Sequence, residues 1–231
     1  MFYYPLYHGY FGLDDIKDKK DVNYLWRSGL GSFSHILDGS IDKNQVDKLK
    51  QYVDLLSRWN KTYNLTAVRD PKDMIPLHIF DSLAVAEFIQ GNNCLDVGSG
   101  AGLPTIPLAI MQPQRQFTAL DTNGKKTRFI QQAVIELGLK NVSVIHERVE
   151  KWQIDKPFDA IVSRAFASIH DFVTSSSLHL VEGGTMYAMK GQYPTAEMQY
   201  LPKGFVLSNS HELRVPFVEG ERHLLEIIRG N

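Results

Sequence analysis

A single cysteine, Cys94, in a chain of 231 residues excludes an internal disulfide and a cysteine zinc cluster, and fits a reducing compartment. No apolar run approaches the ~20 residues that cross a bilayer, and the first residues lack the basic-then-apolar order of a signal peptide. A cytoplasmic protein with no membrane partner is expected. An excess of charge is missing too: 25 Lys and Arg stand against 26 Asp and Glu, a formal net charge of -1. Any nucleic-acid partner must therefore meet a local basic patch, not the field of the whole molecule. There is no internal repeat and no low-complexity tract. What is present is an ordinary globular composition, 43% hydrophobic and 22% charged, enough for one large domain or one domain with a smaller appendage.

Three stretches differ in pattern. Residues 1–40 are the least regular: an aromatic opening (Phe2, Tyr3, Tyr4, Tyr7, Tyr10, Phe11), a mixed-charge run and then Gly29, Gly31 and Gly39. They read as a loose N-terminal extension or cover, with a functional arm as the alternative. Residues 41–90 read as helical. Val46, Leu49, Val53, Leu56, Trp59 and Tyr63 recur at three- and four-residue steps behind Asp42 as N-cap. Asp70-Pro71 then opens a second helical region that Pro76 is expected to break. From 91 to 231 short apolar strands alternate with amphipathic helices. Strands are expected at 94–97, 116–120, 142–146, 158–162 and 185–189, with helices at 104–110, 125–137 and 168–180 between them. The tail offers strands at 205–214 and 223–229 with no helix between them, an antiparallel hairpin at one edge. The class is α/β, with a mostly parallel open sheet flanked by helices.

The first strand runs into Leu95-Asp96-Val97-Gly98-Ser99-Gly100-Ala101-Gly102-Leu103-Pro104. Glycines at a strand-to-helix turn adopt positive φ and let a ligand approach the backbone, while the helix start offers unpaired N–H groups. The spacing departs from the dinucleotide fingerprint, because Leu103 stands where its last glycine belongs, and no Gly-Lys-Ser/Thr follows as in a phosphate loop. Asp96, directly before the glycines, repels a pyrophosphate and suits a ligand with a cationic amine or sulfonium. Asp121 ends the second strand, where an acid accepts the hydroxyls of an adenosine ribose; its plainer role is to cap the next turn. Glycine turn and acid together resemble the cofactor site of class I S-adenosylmethionine methyltransferases.

Further motifs narrow the resemblance. Trp59-Asn60-Lys61-Thr62-Tyr63-Asn64-Leu65-Thr66, His78-Ile79-Phe80-Asp81-Ser82-Leu83, the glycine turn, Ser163-Arg164-Ala165-Phe166-Ala167, Lys190-Gly191-Gln192 and Gly220-Glu221-Arg222-His223 are similar to the RsmG (GidB) family of bacterial 16S rRNA guanine-N7 methyltransferases. The resemblance spans residues 42 to the C-terminus. It implies a Rossmann-like class I methyltransferase sheet preceded by N-terminal helices, and S-adenosylmethionine as cofactor. It also implies N7 of a guanine in the 530 loop of 16S rRNA as the target, and 16S rRNA, the 30S subunit or its assembly intermediate as partner. A monomer is expected. Cofactor contacts implied by it fall on Gly98, Leu103, Val149, Glu150 and Arg164, beside Asp96, Gly100, Gly102 and Asp121 of the class I cofactor site. In one place the chain departs: Thr105 stands where the family reads glycine in Leu-Pro-Gly-Ile-Pro.

The residues agree with attack by a ring nitrogen. Guanine N7 carries a lone pair and no proton at neutral pH, so the site needs no general base and works by positioning. The sequence after the fourth strand lacks the polar-Pro-Pro-aromatic signature used on exocyclic amines. Cys94 lies inside a strand, which suits a buried structural thiol and not the nucleophile of pyrimidine C5 chemistry. Arg164 and Lys190, at the C-terminal ends of two strands, are the candidate catalytic residues, meeting cofactor carboxylate or RNA phosphate. Phe166 offers a face for stacking an extruded base or packs under the next helix. Lys125, Lys126, Arg128, Arg214 and Arg222 are candidate phosphate contacts, with a solvated surface as the alternative. His78 and Asp81 lie one helical turn apart without a third ligand, so no metal is expected and they read as a hydrogen-bonded pair that joins helices to sheet. Two other functions stay open: a small-molecule methyltransferase, and a non-catalytic ribosome-binding module.

Overall fold

The computed structural model describes residues 21–33, 41–164 and 166–230; the aromatic opening, residues 2–11, lies outside them. Within the stretch expected to be irregular, Val22–Gly31 is a helix (α1), with Asp21 as N-cap accepting from the Asn23 N–H at 2.9 Å. Its two glycines weigh against helix, which is why the sequence hides it. One of them is required by packing: a Cβ at Gly29 would lie 2.2 Å from the Phe80 ring. Trp26, Leu30 and Phe33 are buried, and Trp26 and Phe33 meet Phe80 at 6.1 and 5.9 Å between ring centroids.

Helix α2, Lys43–Tyr63, begins as the sequence indicates, with Asp42 and Gln45 forming a capping box. Leu49, Val53 and Leu56 are buried as expected, while Val46 and Trp59 are partly buried and Tyr63 is exposed. Pro76 does not break the next region. Helix α3, Pro71–Met74, passes into a π-helical turn, Ile75–Phe80, and then into α4, Asp81–Leu83. Pro76 sits in the opening positions of the wide turn, where its missing N–H is least costly.

The remaining elements are β1 (Asn93–Val97), α5 (Thr105–Met111), β2 (Gln116–Asp121), α6 (Gly124–Leu137), β3 (Val142–His146), β4 (Phe158–Ser163), α7 (Ile169–Ser176), β5 (Leu180–Lys190), α8 (Thr195–Met198), β6 (Phe205–Glu212) and β7 (His223–Arg229). They build one seven-stranded sheet in the order β3-β2-β1-β4-β5-β7-β6. Strands β1 to β5 pair in parallel, and β7 and β6 are antiparallel, with β6 at the edge. The expected class and terminal hairpin are both present. Two boundaries differ by more than two residues. The helix expected at 168–180 stops at Ser176 and tightens into a 3-10 turn, Ser177–His179, and β5 starts at Leu180, not at 185. Gly183 and Gly184 lie within β5, and the β4–β5 register shifts between Phe158 and Ala160, as at a bulge.

Two apolar layers cover the sheet. On one face, Ile106, Phe129 and Ile130 pack with Tyr52 and Leu56 of α2; on the other, Ile169, Phe172 and Val173 of α7 pack on Leu95 and Ile161. Fully burying a side chain of this size contributes about 1.5–3 kcal/mol. Because the strand order reverses direction between β1 and β4, their C-terminal ends open a crevice at the switch point, where sheets of this kind bind ligands. Gly29→Val should lower stability by about 1–3 kcal/mol in chemical denaturation by wedging α1 off Phe80. Gly31→Ala, with nothing within 4 Å of its Cβ position, should change it by less than ~0.5 kcal/mol.

Candidate functional site

The turn after β1 is left-handed at three alternate residues, Gly98 at φ 74, Gly100 at φ 59 and Gly102 at φ 84, a conformation that other residues adopt only under strain. A Cβ at Gly102 would also lie 2.7 Å from Ile106. Three anchors hold the turn. The Leu120 carbonyl accepts the N–H groups of Gly98 and Ser99 at 2.8 and 3.1 Å. Asp121 accepts the Gly100 N–H at 2.8 Å through one oxygen and the Asn123 N–H at 2.8 Å through the other. From α2, the buried Tyr52 hydroxyl donates to the Ala101 carbonyl at 2.6 Å, and burial raises that phenol far above its ordinary pKa. Tyr52 escaped the sequence reading; its signal is that it lies beside Leu49, Val53 and Leu56 on the buried face.

Asp121 therefore takes the plainer of its two roles, holding turn and helix start together. A carboxylate oxygen accepts two hydrogen bonds, so each oxygen keeps capacity for a ribose hydroxyl. Asp96 is fully buried, and its Oδ2 accepts from the Thr105 hydroxyl at 2.7 Å. Its Oδ1 has no partner. Burial pushes this carboxyl up to about 8, Thr105 pulling the other way. A buried acid with one orphaned oxygen, beside a glycine turn and an acid at the end of β2, fits a ligand bringing a cationic amine and a ribose, as S-adenosylmethionine does. Leu103 is buried at the end of the turn. Val149 packs in the core beside Leu95 and Leu120, whereas Glu150 is exposed with Arg148 as its ion partner at 3.7 Å.

Arg164 follows β4 on the other side of the switch point, where the Ser163 hydroxyl ties β4 to β1 through the Val97 carbonyl at 2.8 Å. Its guanidinium lies 3.2 Å from Asp81 Oδ2 and 3.3 Å from His78 Nδ1. Asp81 Oδ1 accepts from Arg222 Nε at 3.1 Å. One nearly buried carboxylate thus holds two guanidiniums, one from the parallel sheet and one from the hairpin. The His78 and Asp81 side chains do not pair with each other as expected: each meets Arg164, which joins them to the sheet. The His78 ring is buried, with Nε2 2.9 Å from the Thr66 hydroxyl. Burial and the Arg164 charge push it down to about 4, so it is neutral at physiological pH.

Lys190 closes the far wall. Its ammonium sits 3.0 and 3.1 Å from the two Glu197 oxygens, and Glu197 also accepts the Ile169 N–H at 2.7 Å. Together His78, Asp81, Arg164, Lys190, Arg222 and His223 line a cavity of about 290 Å3 floored by Leu77, Met189 and Leu213. The two candidate catalytic residues therefore face one space. Phe166 is half-buried against Phe172 at 5.4 Å, and Arg214 is exposed. Lys125 and Lys126 stand at the start of α6, where Asn123 is the cap, and Arg128 Nε donates back to the Gly124 carbonyl at 3.0 Å. Cys94 is buried and its thiol is pushed well above its ordinary pKa, as befits a structural residue. Among the described residues no cluster of three metal-ligating side chains occurs, and no helix is long and apolar enough to cross a membrane.

Known proteins place this geometry. Residues 45–225 match the family described as rRNA small subunit methyltransferase G. The chain belongs to that family. A member from Colwellia psychrerythraea is 50% identical over 187 residues, covering 80% of this chain and 89% of the relative. Another, from Ectopseudomonas mendocina, is 52% identical over 193 residues, covering 82% and 90%. Both are named ribosomal RNA small subunit methyltransferase G. Solved structures share the fold at low identity. The glycopeptide N-methyltransferase MtfA, complexed with S-adenosylmethionine, aligns at TM-score 0.55 and 14% identity, over 66% of this chain and 95% of its own. The M. jannaschii protein TYW2, in complex with AdoMet, aligns at 0.51 and 16%, over 66% and 76%. The fold is the Rossmann-like one of class I methyltransferases, and S-adenosylmethionine is the cofactor of this family.

The buried histidine makes the joint sensitive to acid. With a folded pKa of about 4 against 6.5 unfolded, His78 binds fewer protons folded than unfolded, so stability falls as pH drops from 6.5 towards 4. His78→Gln should flatten that part of the stability–pH profile by up to one proton, measured by denaturation at stepped pH. Asp81→Asn should cost about 1–3 kcal/mol, less than for a fully buried pair because both guanidiniums keep contact with solvent.

Proposed function

We propose that this protein transfers the methyl group of S-adenosylmethionine to N7 of a guanine in the 530 loop of 16S rRNA. The observation that carries the proposal is the pairing of the Asp96 glycine turn with the basic cavity of Arg164, Lys190 and Arg222 across one switch point, in a chain half identical to small-subunit rRNA methyltransferases. The cofactor, when bound, supplies a methyl carbon made electrophilic by its sulfonium. Gly98, Gly100, Gly102 and Leu103 hold it by backbone approach, Asp121 by the ribose, Asp96 by the amino end, with Val149 and Glu150 beside the end of β3. With the donor bound, the lone pair of N7 would form the new N–C bond as the C–S bond breaks, the electrons of that bond leaving with the sulfur. No proton moves, so a neutral His78 and an ion-paired Lys190 are compatible with the chemistry.

The cavity's share is positioning. At about 290 Å3 it lies at the lower end of small-molecule pockets, the size for one base and not for a dinucleotide. Among the lining residues Arg164, Lys190 and Arg222 stand against one carboxylate, Asp81, with Glu197 and Glu221 pairing to Lys190 and His223 from outside the lining, so the rim offers cations to the phosphates beside the target. This favours RNA over a neutral metabolite, although the molecule as a whole carries -1. The acids that serve a cofactor likewise argue for an enzyme and not a binding module. The substrate is 16S rRNA, met alone or in the 30S subunit or its assembly intermediate, by a monomer in the cytoplasm.

Purified protein incubated with 30S subunits and methyl-labelled S-adenosylmethionine should label one guanine of the 530 loop. Borohydride–aniline treatment, which cleaves RNA at N7-methylguanosine, should then cut the chain there. Label on another nucleotide, or in small metabolites with none in rRNA, would refute the proposal. Arg222→Ala should lower kcat/KM on 30S by about 10–100-fold, while the Kd for cofactor stays within about twofold.

A further inference from the structure

Asp96, the last residue but one of β1, and Thr105, the first of α5, meet across the glycine turn. Both are fully buried. The hydroxyl of Thr105 donates to Asp96 Oδ2 at 2.7 Å, and the opposite oxygen, Oδ1, has no partner. The backbone N–H of Thr105 also acts on this carboxylate. A glycine here, as the family resemblance implies, would keep that N–H and lack the hydroxyl. The other titratable or charged groups acting on Asp96 are Asp121 across the turn, Arg164 after β4, Tyr52 from α2 and Cys94 on the same strand. Only Arg164 is a cation among them, and Asp81 already shares its charge.

We propose that Thr105 is a positioning residue for the cofactor: its hydroxyl occupies Asp96 Oδ2, leaves Oδ1 for the positively charged amino end of the methionine moiety, and favours the ionised carboxylate on which that attraction depends. The inference rests on the reading of the turn as the S-adenosylmethionine site. A hydrogen bond donated to a carboxylate stabilises its charged form, and a buried acid has few other sources of that stabilisation. Thr105 therefore sets how far towards acid pH the protein keeps its grip on the cofactor. Burial opposes it by holding the carboxyl up near 8, inside the range over which cellular pH varies.

The test is the pH dependence of S-adenosylhomocysteine binding, which retains the ammonium and needs no turnover. Calorimetry between pH 6 and 9 should show wild-type affinity falling on the acid side as Asp96 takes up a proton. Thr105→Val, of the same shape without the hydroxyl, should move that midpoint up by about one pH unit. At pH 7 it should weaken binding up to about tenfold. Thr105→Ser should restore the wild-type profile. Thr105→Gly, which keeps the backbone N–H, should behave like valine and serves as the second variant should valine fail to fold. Profiles of the valine and glycine variants that superimpose on wild type would overturn the role of Thr105 while leaving the cofactor site intact. Wild-type protein that binds no S-adenosylhomocysteine at any pH would overturn the cofactor reading itself, and Thr105's role with it.

Discussion

The left-handed backbone of the glycine turn is held open by side chains from outside it: Asp121 takes the Gly100 N–H at 2.8 Å and Tyr52 takes the Ala101 carbonyl at 2.6 Å. Everything else in the site is placed relative to that turn. The anchors come from opposite sides, one from the end of β2 and one from α2, so the turn is braced between sheet and helical layer. Gln45 extends the brace, its amide donating to the Ile110 and Met111 carbonyls at 3.1 and 3.3 Å where α5 ends and its own carbonyls lack partners. Helix α2 thereby spans α5 from its last turn to the glycine turn that precedes it. The helical residues 41–90 thus do more than cover the sheet.

Charge is sorted across the switch point. On the β1–β2 side stand Asp96 and Asp121, both buried, and on the β4–β5 side Arg164, Lys190 and Arg222. Such a separation suits a cationic donor and an anionic polymer at adjacent places, with no competition for the same groups. Asp81 prevents the two guanidiniums from repelling each other, and by binding one from each it joins helix, parallel sheet and hairpin at a single carboxylate. The near-zero net charge of the chain conceals this separation.

Local signals in the sequence carried far, and long-range ones did not. The Asp42 cap, the helix expected at 125–137 and the alternation of strand and helix are written in neighbouring residues, and they place most of the sheet. Helix α1 was hidden because Gly29 is needed for contact with Phe80, a residue about fifty positions away. Pro76 looked like a break because a π turn has no short-range signature. Asp96 is legible from its position directly before the glycines, and Asp121 from its place at the end of the second strand, including its cap on the next turn; its hold on the Gly100 N–H is not. Thr105 read as a mismatch, and it is the hydrogen-bond partner of the central acid. The pairing of Asp81 with Arg222 joins residues 141 apart, and Lys190 with Glu197 depends on how α8 folds back; no spacing rule gives either.

The central claim is that the braced turn between β1 and α5 is where the methyl donor's nucleoside and amino acid ends are held. A crystal structure with bound S-adenosylhomocysteine tests it most directly. In it the ribose should lie within hydrogen-bond distance of Asp121, the amino end on the Asp96 side, and the sulfur facing the cavity of Arg164. A structure with the turn bare and the ligand lodged elsewhere, or with the ribose turned away from Asp121, would contradict it.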